Sequence, residues 1–259
     1  MKPYHHLHKK LLRFLLPRLL PGNYYFSHEG FCACCEQEVT FECYDSWLRD
    51  NYYCTNCRCI PRERALMAVI EKHYPNWREL RIHESSPVQR GASLKLRNQG
   101  KRYLASQYYS DKEYGITVDG FRNENLENQA FSNDSFDLVI TQDVMEHVYH
   151  PELVFSEIAR TLAKGGAHIF TVPIINKHSK TEIWATLNPD GTPNFLHKPE
   201  YHGNPIDAQG GSPVTMHWGF DIVDFIEKAS GLETQIIAQY KKELGIMGEY
   251  NEVFVTTKR

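Results

Sequence analysis

No stretch of this 259-residue chain is long and apolar enough to cross a membrane as a helix, which requires about 20 mostly apolar residues. The composition is otherwise ordinary for a soluble globular protein, with 41% hydrophobic and 24% charged residues. A net charge of −3 gives no general attraction to nucleic acid, so binding RNA or DNA would require a local basic patch. We expect a cytoplasmic protein with one large domain and one small one.

Cysteine is absent after Cys59, and all seven cysteines lie between Cys32 and Cys59. This crowding argues against a disulfide scaffold and favours a metal site in a reducing compartment. Cys32 with Cys35, and Cys54 with Cys57, form two C-x2-C pairs separated by eighteen residues, a spacing typical of zinc ribbons. Four thiolates leave no open coordination position, so we predict structural Zn2+.

The predicted zinc-binding module spans residues 27–60. Such a short segment cannot build a large core of its own, and a structural zinc ion contributes on the order of 10 kcal/mol to folding. The sequence leaves open ligand sets that use Cys34 or Cys59 instead.

The segment 1–26 mixes leucines with lysines and arginines, and residues 7–20 can form a basic amphipathic helix. We expect this helix to pack on the protein's own body. Contact with a membrane surface or with a partner protein is the alternative.

A strand, a helix and a second strand follow one another between Phe136 and Val172. The apolar run Phe136–Thr141 predicts a buried strand. Pro151 suits the first position of a helix, and Lys164-Gly165-Gly166 suits its end. The pattern predicts a right-handed parallel unit.

The stretch FSNDSFDLVITQDVMEHV…VFSEIARTLAKGGAHIFTVP resembles the second half of class I methyltransferases that use S-adenosylmethionine. The resemblance runs from about Leu80 to the C-terminus and is most specific between Leu126 and Pro173. It implies a doubly wound, seven-stranded Rossmann-like α/β sheet over residues 61–259, with S-adenosylmethionine as cofactor.

The loop after the first predicted strand departs from the family, which usually has Gly-x-Gly-x-Gly there. This chain has His83, Ser85 and Pro87 at those positions. The resemblance implies that Glu84 accepts a hydrogen bond from the cofactor's ammonium group, while the hydroxyls of Ser85 and Ser86 replace bare backbone. The alternative for Glu84 is an acid that caps the next helix.

Other cofactor contacts are implied at the ends of the following strands. Gln107 stands where the family usually has an acid for the ribose. Asn125 and Leu126 stand where the family contacts the adenine, although Asn125 also suits a simple turn. Gln142 and Asp143 follow the fourth strand, at the edge where open α/β sheets bind ligands.

Two histidines are candidates for the catalytic base. His147 follows Glu146, and the pair resembles the Glu-His of quinone-biosynthesis O-methyltransferases, where it lies by the substrate. An imidazole with a pKa near 6.5 suits proton removal from a hydroxyl. His202 is the second candidate, and a packing or surface histidine is the alternative for each.

The polar segment 177–220 is predicted to recognise the substrate, because a long irregular segment in a compact domain is usually functional. The predicted contacts within it are Tyr201, His202, Asp207, His217 and Trp218.

We therefore predict methyl transfer from S-adenosylmethionine to a hydroxyl of a small molecule or sugar. The first alternative is an RNA methyltransferase, which requires a basic face built from Arg49, Arg58, Arg62 and Arg64. The others are a non-catalytic binding protein on the same scaffold and a related chemistry on that scaffold.

Overall fold

The computed structural model describes residues 26–204, 206–207 and 209–259. The predicted basic segment, including residues 7–20, lies outside these ranges apart from Phe26. Among the described helices, none combines the length and the apolar character needed to span a membrane.

The first part of the described chain is a small antiparallel sheet. Its elements are β1 (Phe26–Cys32), β2 (Gln37–Cys43), α1 (Leu48–Asn51) and β3 (Tyr52–Cys54). Strand β2 lies in the centre and pairs with both neighbours. The turn after β1 and the turn after β3 carry the two C-x2-C pairs, so the fold brings these turns to the same end of the sheet.

Helix α2 (Pro61–His73) connects this module to the rest of the protein. Arg64 on this helix is fully buried and donates hydrogen bonds to three backbone carbonyls, those of Tyr52, Cys59 and Gly245. Because Gly245 belongs to the distant C-terminal region, Arg64 ties the module and the main domain together.

A large sheet with helices on both faces forms the main domain. After α2, the elements are β4 (Arg81–Ser85), α3 (Gly91–Gln99), β5 (Arg102–Gln107), β6 (Thr117–Val118), β7 (Phe121–Asn123), β8 (Phe136–Gln142), α4 (Pro151–Thr161), β9 (Leu162–Thr171), β10 (Glu182–Ile183), β11 (Ala185–Leu187), β12 (Pro193–Phe195), β13 (Tyr201–His202), β14 (Ser212–Pro213), β15 (Met216–His217), α5 (Ile222–Ser230), β16 (Glu233–Ile237) and β17 (Val253–Thr257).

The sheet has eight strands in the order β16-β17-β9-β8-β4-β5-β7-β6. Strands β4, β5, β7, β8 and β9 are parallel to their neighbours in this group, and β16, β17 and β6 are antiparallel. This corrects the predicted number of strands from seven to eight. The extra strand, β6, forms a hairpin with β7 through Asp119-Gly120, both with positive φ, which is a turn that favours hairpins.

Apolar side chains fill both faces of this sheet. One core contains Leu66 of α2 and Leu138 of β8, and it continues into the cysteines of the module. The other contains Val154 and Ile158 of α4, Ile226 of α5 and further aromatic residues. The module and the main domain therefore share one core.

The predicted insert 177–220 contains three short antiparallel pairs: β10 with β15, β11 with β12, and β13 with β14. Its inner side is fixed on the loop after β8. Trp218 Nε1 donates to the Met145 carbonyl at 2.9 Å, and the Thr215 amide donates to the Glu146 carbonyl at 2.8 Å. The insert thus lies over the carboxyl end of β8.

Candidate active site

The carboxyl ends of β4 and β8 define the expected binding edge of the sheet. These two parallel strands are neighbours, and the strand order reverses between them, which is the position where α/β proteins usually bind ligands. Ser85 ends β4, Gln142 ends β8, and Gln107 ends the adjacent strand β5. The fold thus brings the predicted cofactor residues on these strands to one edge.

Glu84 lies inside this edge rather than on its surface. Its side chain is fully buried and accepts hydrogen bonds from Ser93 Oγ (2.5 Å), Tyr103 Oη (2.8 Å) and Gln142 Nε2 (2.9 Å). Burial raises the pKa of Glu84, although these three donors act in the opposite direction. The observed network joins β4, α3, β5 and β8; contact of Glu84 with an ammonium group stays a prediction.

Ser86 has a backbone conformation that favours glycine. Its φ is +56°, in the left-handed region where a residue with a side chain is strained. Its amide donates to the Ser106 carbonyl at 2.9 Å, which closes the loop onto β5. The loop therefore keeps a glycine-like turn without glycine, and the predicted hydroxyl contacts of Ser85 and Ser86 remain untested.

Asn125 and Leu126 lie on a turn beyond β7. Asn125 Oδ1 accepts a hydrogen bond from the Glu127 amide at 2.9 Å, so the side chain stabilises its own turn. Its Nδ2 lies 3.5 Å from the hydroxyl of Tyr114, an exposed aromatic residue. Leu126 is buried. The turn leaves room for the predicted adenine contact of Asn125, and that contact stays a prediction.

Asp143 is held by two arginines that sequence reasoning did not connect with it. Its Oδ2 lies 2.6 Å from Arg49 Nη2 and 2.8 Å from Arg62 Nε, and its Oδ1 accepts from Thr171 Oγ1 at 3.0 Å. Burial alone would raise the pKa of Asp143, but the two guanidinium groups lower it below its ordinary value. Asp143 therefore joins the module to the end of β8. Its carboxylate oxygens are used by the two arginines and Thr171, and its predicted contact with the cofactor stays a prediction.

The same contacts remove the basic face on which the RNA alternative depends. Arg49 is 5% exposed and Arg64 is fully buried. Arg62 pairs with Asp50 as well as Asp143. Of the four arginines, Arg58 packs over the Tyr53 ring without contributing to a shared patch. Three of the four arginines are therefore used inside the protein and do not form the basic face that the RNA alternative requires.

Glu146, His147 and His202 converge beside the end of β8. Glu146 Oε1 lies 3.7 Å from His147 Nε2 and 3.7 Å from His202 Nδ1. The imidazole rings stand edge to face with centroids 5.0 Å apart. The Glu146 carboxylate raises the pKa of His202. The two histidines predicted as catalytic are thus neighbours, which their 55-residue separation in sequence did not reveal.

The other residues predicted to contact substrate are in different positions. Tyr201 and Asp207 are exposed and His217 is mostly buried, with its ring stacked on Trp184 at 3.8 Å. Trp218 is fully buried in the second core. Of these four residues, Tyr201 and Asp207 are exposed to solvent. Trp218 instead fixes the insert to the loop after β8.

Four cysteines of the module converge at one point. The thiols of Cys32, Cys35, Cys54 and Cys57 all lie within 4.8 Å of one another, and two of the Sγ–Sγ distances are 3.8 Å. Sulfurs that surround one zinc ion at ~2.3 Å in a tetrahedron lie about 3.8 Å apart. The predicted four-cysteine set therefore fits a zinc ion. A second group, Cys32 with Cys34 and Cys59, keeps the alternative ligand sets open.

Comparison with known proteins gives the class of this domain. Residues 97–170 match the family described as "Methyltransferase domain". This match bears out the prediction of a methyltransferase domain in this part of the chain, and the bounds 61–259 stay a prediction.

A curated relative matches only part of this chain. The ubiquinone biosynthesis O-methyltransferase of Rhizobium etli is 31% identical over 137 residues, which are 49% of this chain and 54% of that protein. The chain thus spans about half the length of this curated relative.

Solved structures with a similar chain course have low sequence identity. An S-adenosylmethionine-dependent methyltransferase from Mesorhizobium loti is 16% identical, with 75% of this chain and 98% of that chain covered and a TM-score of 0.48. The 1,6-didemethyltoxoflavin-N1-methyltransferase of Burkholderia thailandensis, solved with 1,6-didemethyltoxoflavin and S-adenosylhomocysteine, is 11% identical. The alignment covers 75% of this chain and 76% of that one, with a TM-score of 0.44.

Proposed function

We propose that this protein transfers a methyl group from S-adenosylmethionine to a hydroxyl oxygen of a small molecule or saccharide. The observation that carries the proposal is the convergence of Glu146, His147 and His202 beside the strand end where the cofactor of a methyltransferase domain would lie. This cluster offers a place where an acceptor hydroxyl can lose its proton.

The donor side of the crevice has groups that suit the cofactor's amino-acid end. Gln142 Oε1 is buried and has no hydrogen-bond partner among the described residues. Its Nε2 is held by Glu84 and Ser93, so the amide orientation is fixed and the free oxygen can accept from an ammonium group. The partner-free oxygen of Gln142 and the nearby Glu84 carboxylate together fit a cationic end.

The cofactor supplies an electrophilic methyl group on a sulfonium. The protein's tasks are to align the acceptor with that group, to exclude water and to handle one proton. The insert covers the end of β8, and the side chain of His202 is 39% exposed, so the acceptor would reach the cluster from this side. Tyr201, the preceding residue, is 50% exposed and is placed to contact the acceptor.

We also propose that Cys32, Cys35, Cys54 and Cys57 bind one structural zinc ion. The zinc would have no open position for catalysis. Its effect would be to fix the turns of the module, and with them the short helix α1 that places Arg49 against Asp143.

The proposal is tested by calorimetric titration of the purified, zinc-loaded protein with S-adenosylmethionine and S-adenosylhomocysteine. We expect micromolar binding of both, weakened by Glu84→Ala and by Asn125→Ala. Asn128→Ala, an exposed position on the same turn, is the matched control and should bind normally. Binding of both compounds would be followed by a screen of hydroxyl acceptors.

Absence of heat and of thermal stabilisation at millimolar cofactor would reject the enzyme function. That result would favour a non-catalytic binding protein on this scaffold. Binding without any methyl acceptor in the screen would favour a related chemistry that uses the same cofactor.

A further inference from the structure

Glu146 is buried without an ordinary partner. The residue is 1% exposed, and neither carboxylate oxygen has a hydrogen bond from any of the described residues. A buried carboxylate is costly unless it is hydrogen-bonded, paired or bound to a cation. One nitrogen of each imidazole lies 3.7 Å from Glu146 Oε1, which is too long for a hydrogen bond.

The two imidazoles are oriented by their outer nitrogens. His147 Nδ1 lies 2.8 Å from the Pro213 carbonyl, which can only accept, so this nitrogen carries the proton. His202 Nε2 lies 3.3 Å from Glu200 Oε1. In the neutral rings, the inner nitrogens, His147 Nε2 and His202 Nδ1, then present lone pairs toward Glu146. A carbonyl or carboxylate on the outer nitrogen is the usual support of a metal-binding histidine.

The donor atoms are also close enough to share an ion. One oxygen of Glu146 and one nitrogen of each histidine all lie within 4.8 Å of one another. Donors that bind one metal at ~2.1 Å lie about 3.0–3.4 Å apart, so small side-chain rotations would complete the site. Two imidazoles and one carboxylate form a facial set that suits divalent first-row transition ions and leaves coordination positions open.

We propose that Glu146, His147 and His202 bind one divalent transition-metal ion at the acceptor side of the site, with the open positions facing the side on which His202 is exposed. The set combines the loop after β8 with the insert, which explains why the insert is fixed so closely to Glu146 through Thr215. This site is separate from the four-cysteine site, which uses only thiolates.

The role of this ion in catalysis rests on the proposed methyl transfer; its binding does not. A hydroxyl group at an open position would be more acidic and would lose its proton to water. Its oxygen would then form the bond to the methyl carbon as the sulfur–carbon bond breaks, and the bonding electron pair would remain on sulfur. Neither histidine would need to act as the proton acceptor.

The experiment is a titration of the zinc-loaded protein with Co2+, followed by electronic absorption and calorimetry. We expect one further equivalent of Co2+ to bind, with d–d bands and without the thiolate-to-cobalt charge-transfer band that the cysteine site would give. Glu146→Gln and His202→Ala should abolish this binding. His197→Ala is the control, because His197 stacks on Trp184 in the same insert but lies outside the cluster.

A milder variant protects the test against misfolding. Glu200→Ala leaves all three proposed ligands in place and removes the group that orients His202, so affinity should fall by about 10–100-fold while the thermal melt is retained. Titration with S-adenosylhomocysteine in parallel separates the two proposals. Cobalt binding without cofactor binding would support the metal site and reject methyl transfer.

The inference would be overturned if the wild-type protein bound cofactor but no second metal ion. It would also be overturned if Co2+ bound equally well to wild type and to Glu146→Gln. Either result would leave the cluster as an ion pair between Glu146 and a protonated His202.

Discussion

Arg49 of the small N-terminal module donates to Asp143 at the end of β8, with 2.6 Å between Nη2 and Oδ2. Arg62 approaches the same carboxylate oxygen at 2.8 Å. Asp143 directly follows Gln142, whose side chain lies in the Glu84 network. The module therefore contacts the backbone segment that leads from the proposed cofactor side of the site to the cluster around Glu146.

Asp143→Asn should destabilise the protein by about 2–3 kcal/mol, because two largely buried guanidinium groups would lose their shared charge partner. The substitution keeps the size of the side chain and an acceptor for Thr171. Urea denaturation measures the change. Asp111→Asn, which removes an exposed pair with Lys112, should leave the midpoint of the urea transition nearly unchanged. Equal effects of the two variants would show that the buried pairing of Asp143 with Arg49 and Arg62 does not stabilise the protein.

Cys35→Ser should remove zinc from the purified protein, whereas Cys34→Ser should retain it. The reason is that Cys35 belongs to the four-thiol group and Cys34 to the alternative group. Metal analysis by mass spectrometry gives the zinc content per protein. Retention of zinc in Cys35→Ser together with loss of zinc in Cys34→Ser would show that the ion is bound by the second group, Cys32 with Cys34 and Cys59.

Ser86→Gly should stabilise the protein by about 0.5–1 kcal/mol. Glycine removes the strain of a side chain at φ +56°, and part of the gain is offset by the greater freedom of glycine in the unfolded chain. The matched variant Ser85→Gly, in the extended strand β4, should instead destabilise by about 1 kcal/mol. Thermal and urea unfolding of both variants measure these changes. Destabilisation by Ser86→Gly would contradict the prediction that Ser86 is strained.

The protein should lose stability on acidification from pH 7 to pH 5 because of two buried histidines. Burial lowers the pKa of His83 to about 3, and the positive charge of Arg122 acts in the same direction. Burial also lowers the pKa of His168 to about 3. The unfolded state, with a histidine pKa near 6.5, binds protons that the folded state does not, so stability falls by about 1.4 kcal/mol per pH unit and per histidine below pH 6.5.

His168→Gln tests this pH dependence. The stability difference between wild type and variant at pH 7 should shrink by about 2 kcal/mol at pH 5, because the variant lacks one of the two depressed groups. His178→Gln, at an exposed position, should leave the difference constant. Denaturant unfolding at the two pH values provides the measurement. Parallel curves for wild type and His168→Gln would show that His168 is not held neutral.

Local sequence patterns were sufficient for the start of the central strand and of the helix that follows it. The strand starting at Phe136 and the helix starting at Pro151 occur where the apolar run and the proline place them. The eighth strand was missed, since Thr117–Val118 is too short to show alternation and only Asp119-Gly120 marks the hairpin.

The candidate site was harder to predict, because its groups come from distant parts of the chain. Glu84 was expected in the loop after the first main-domain strand, but it lies within that strand, and its burial depends on Tyr103 and Gln142, which arrive from two other strands. Asp143 was expected at the cofactor and is held by arginines more than eighty residues earlier in the chain. A sequence pattern shows which groups end a strand but not which distant side chains will meet them.

The sequence by itself predicted a methyltransferase domain, which the family match over residues 97–170 supports, and it predicted two cysteine pairs whose thiols the structure brings together. Both predictions depend on residue types at short, fixed spacings. Only the tertiary structure decided that Glu146, His147 and His202 form one cluster and that Arg49 and Arg62 serve Asp143 rather than a partner. These contacts form when the crossover topology brings the carboxyl ends of the strands, the insert and the module to one edge. Charged groups that are buried at this edge must pair with one another, and no local sequence pattern shows which of them will meet.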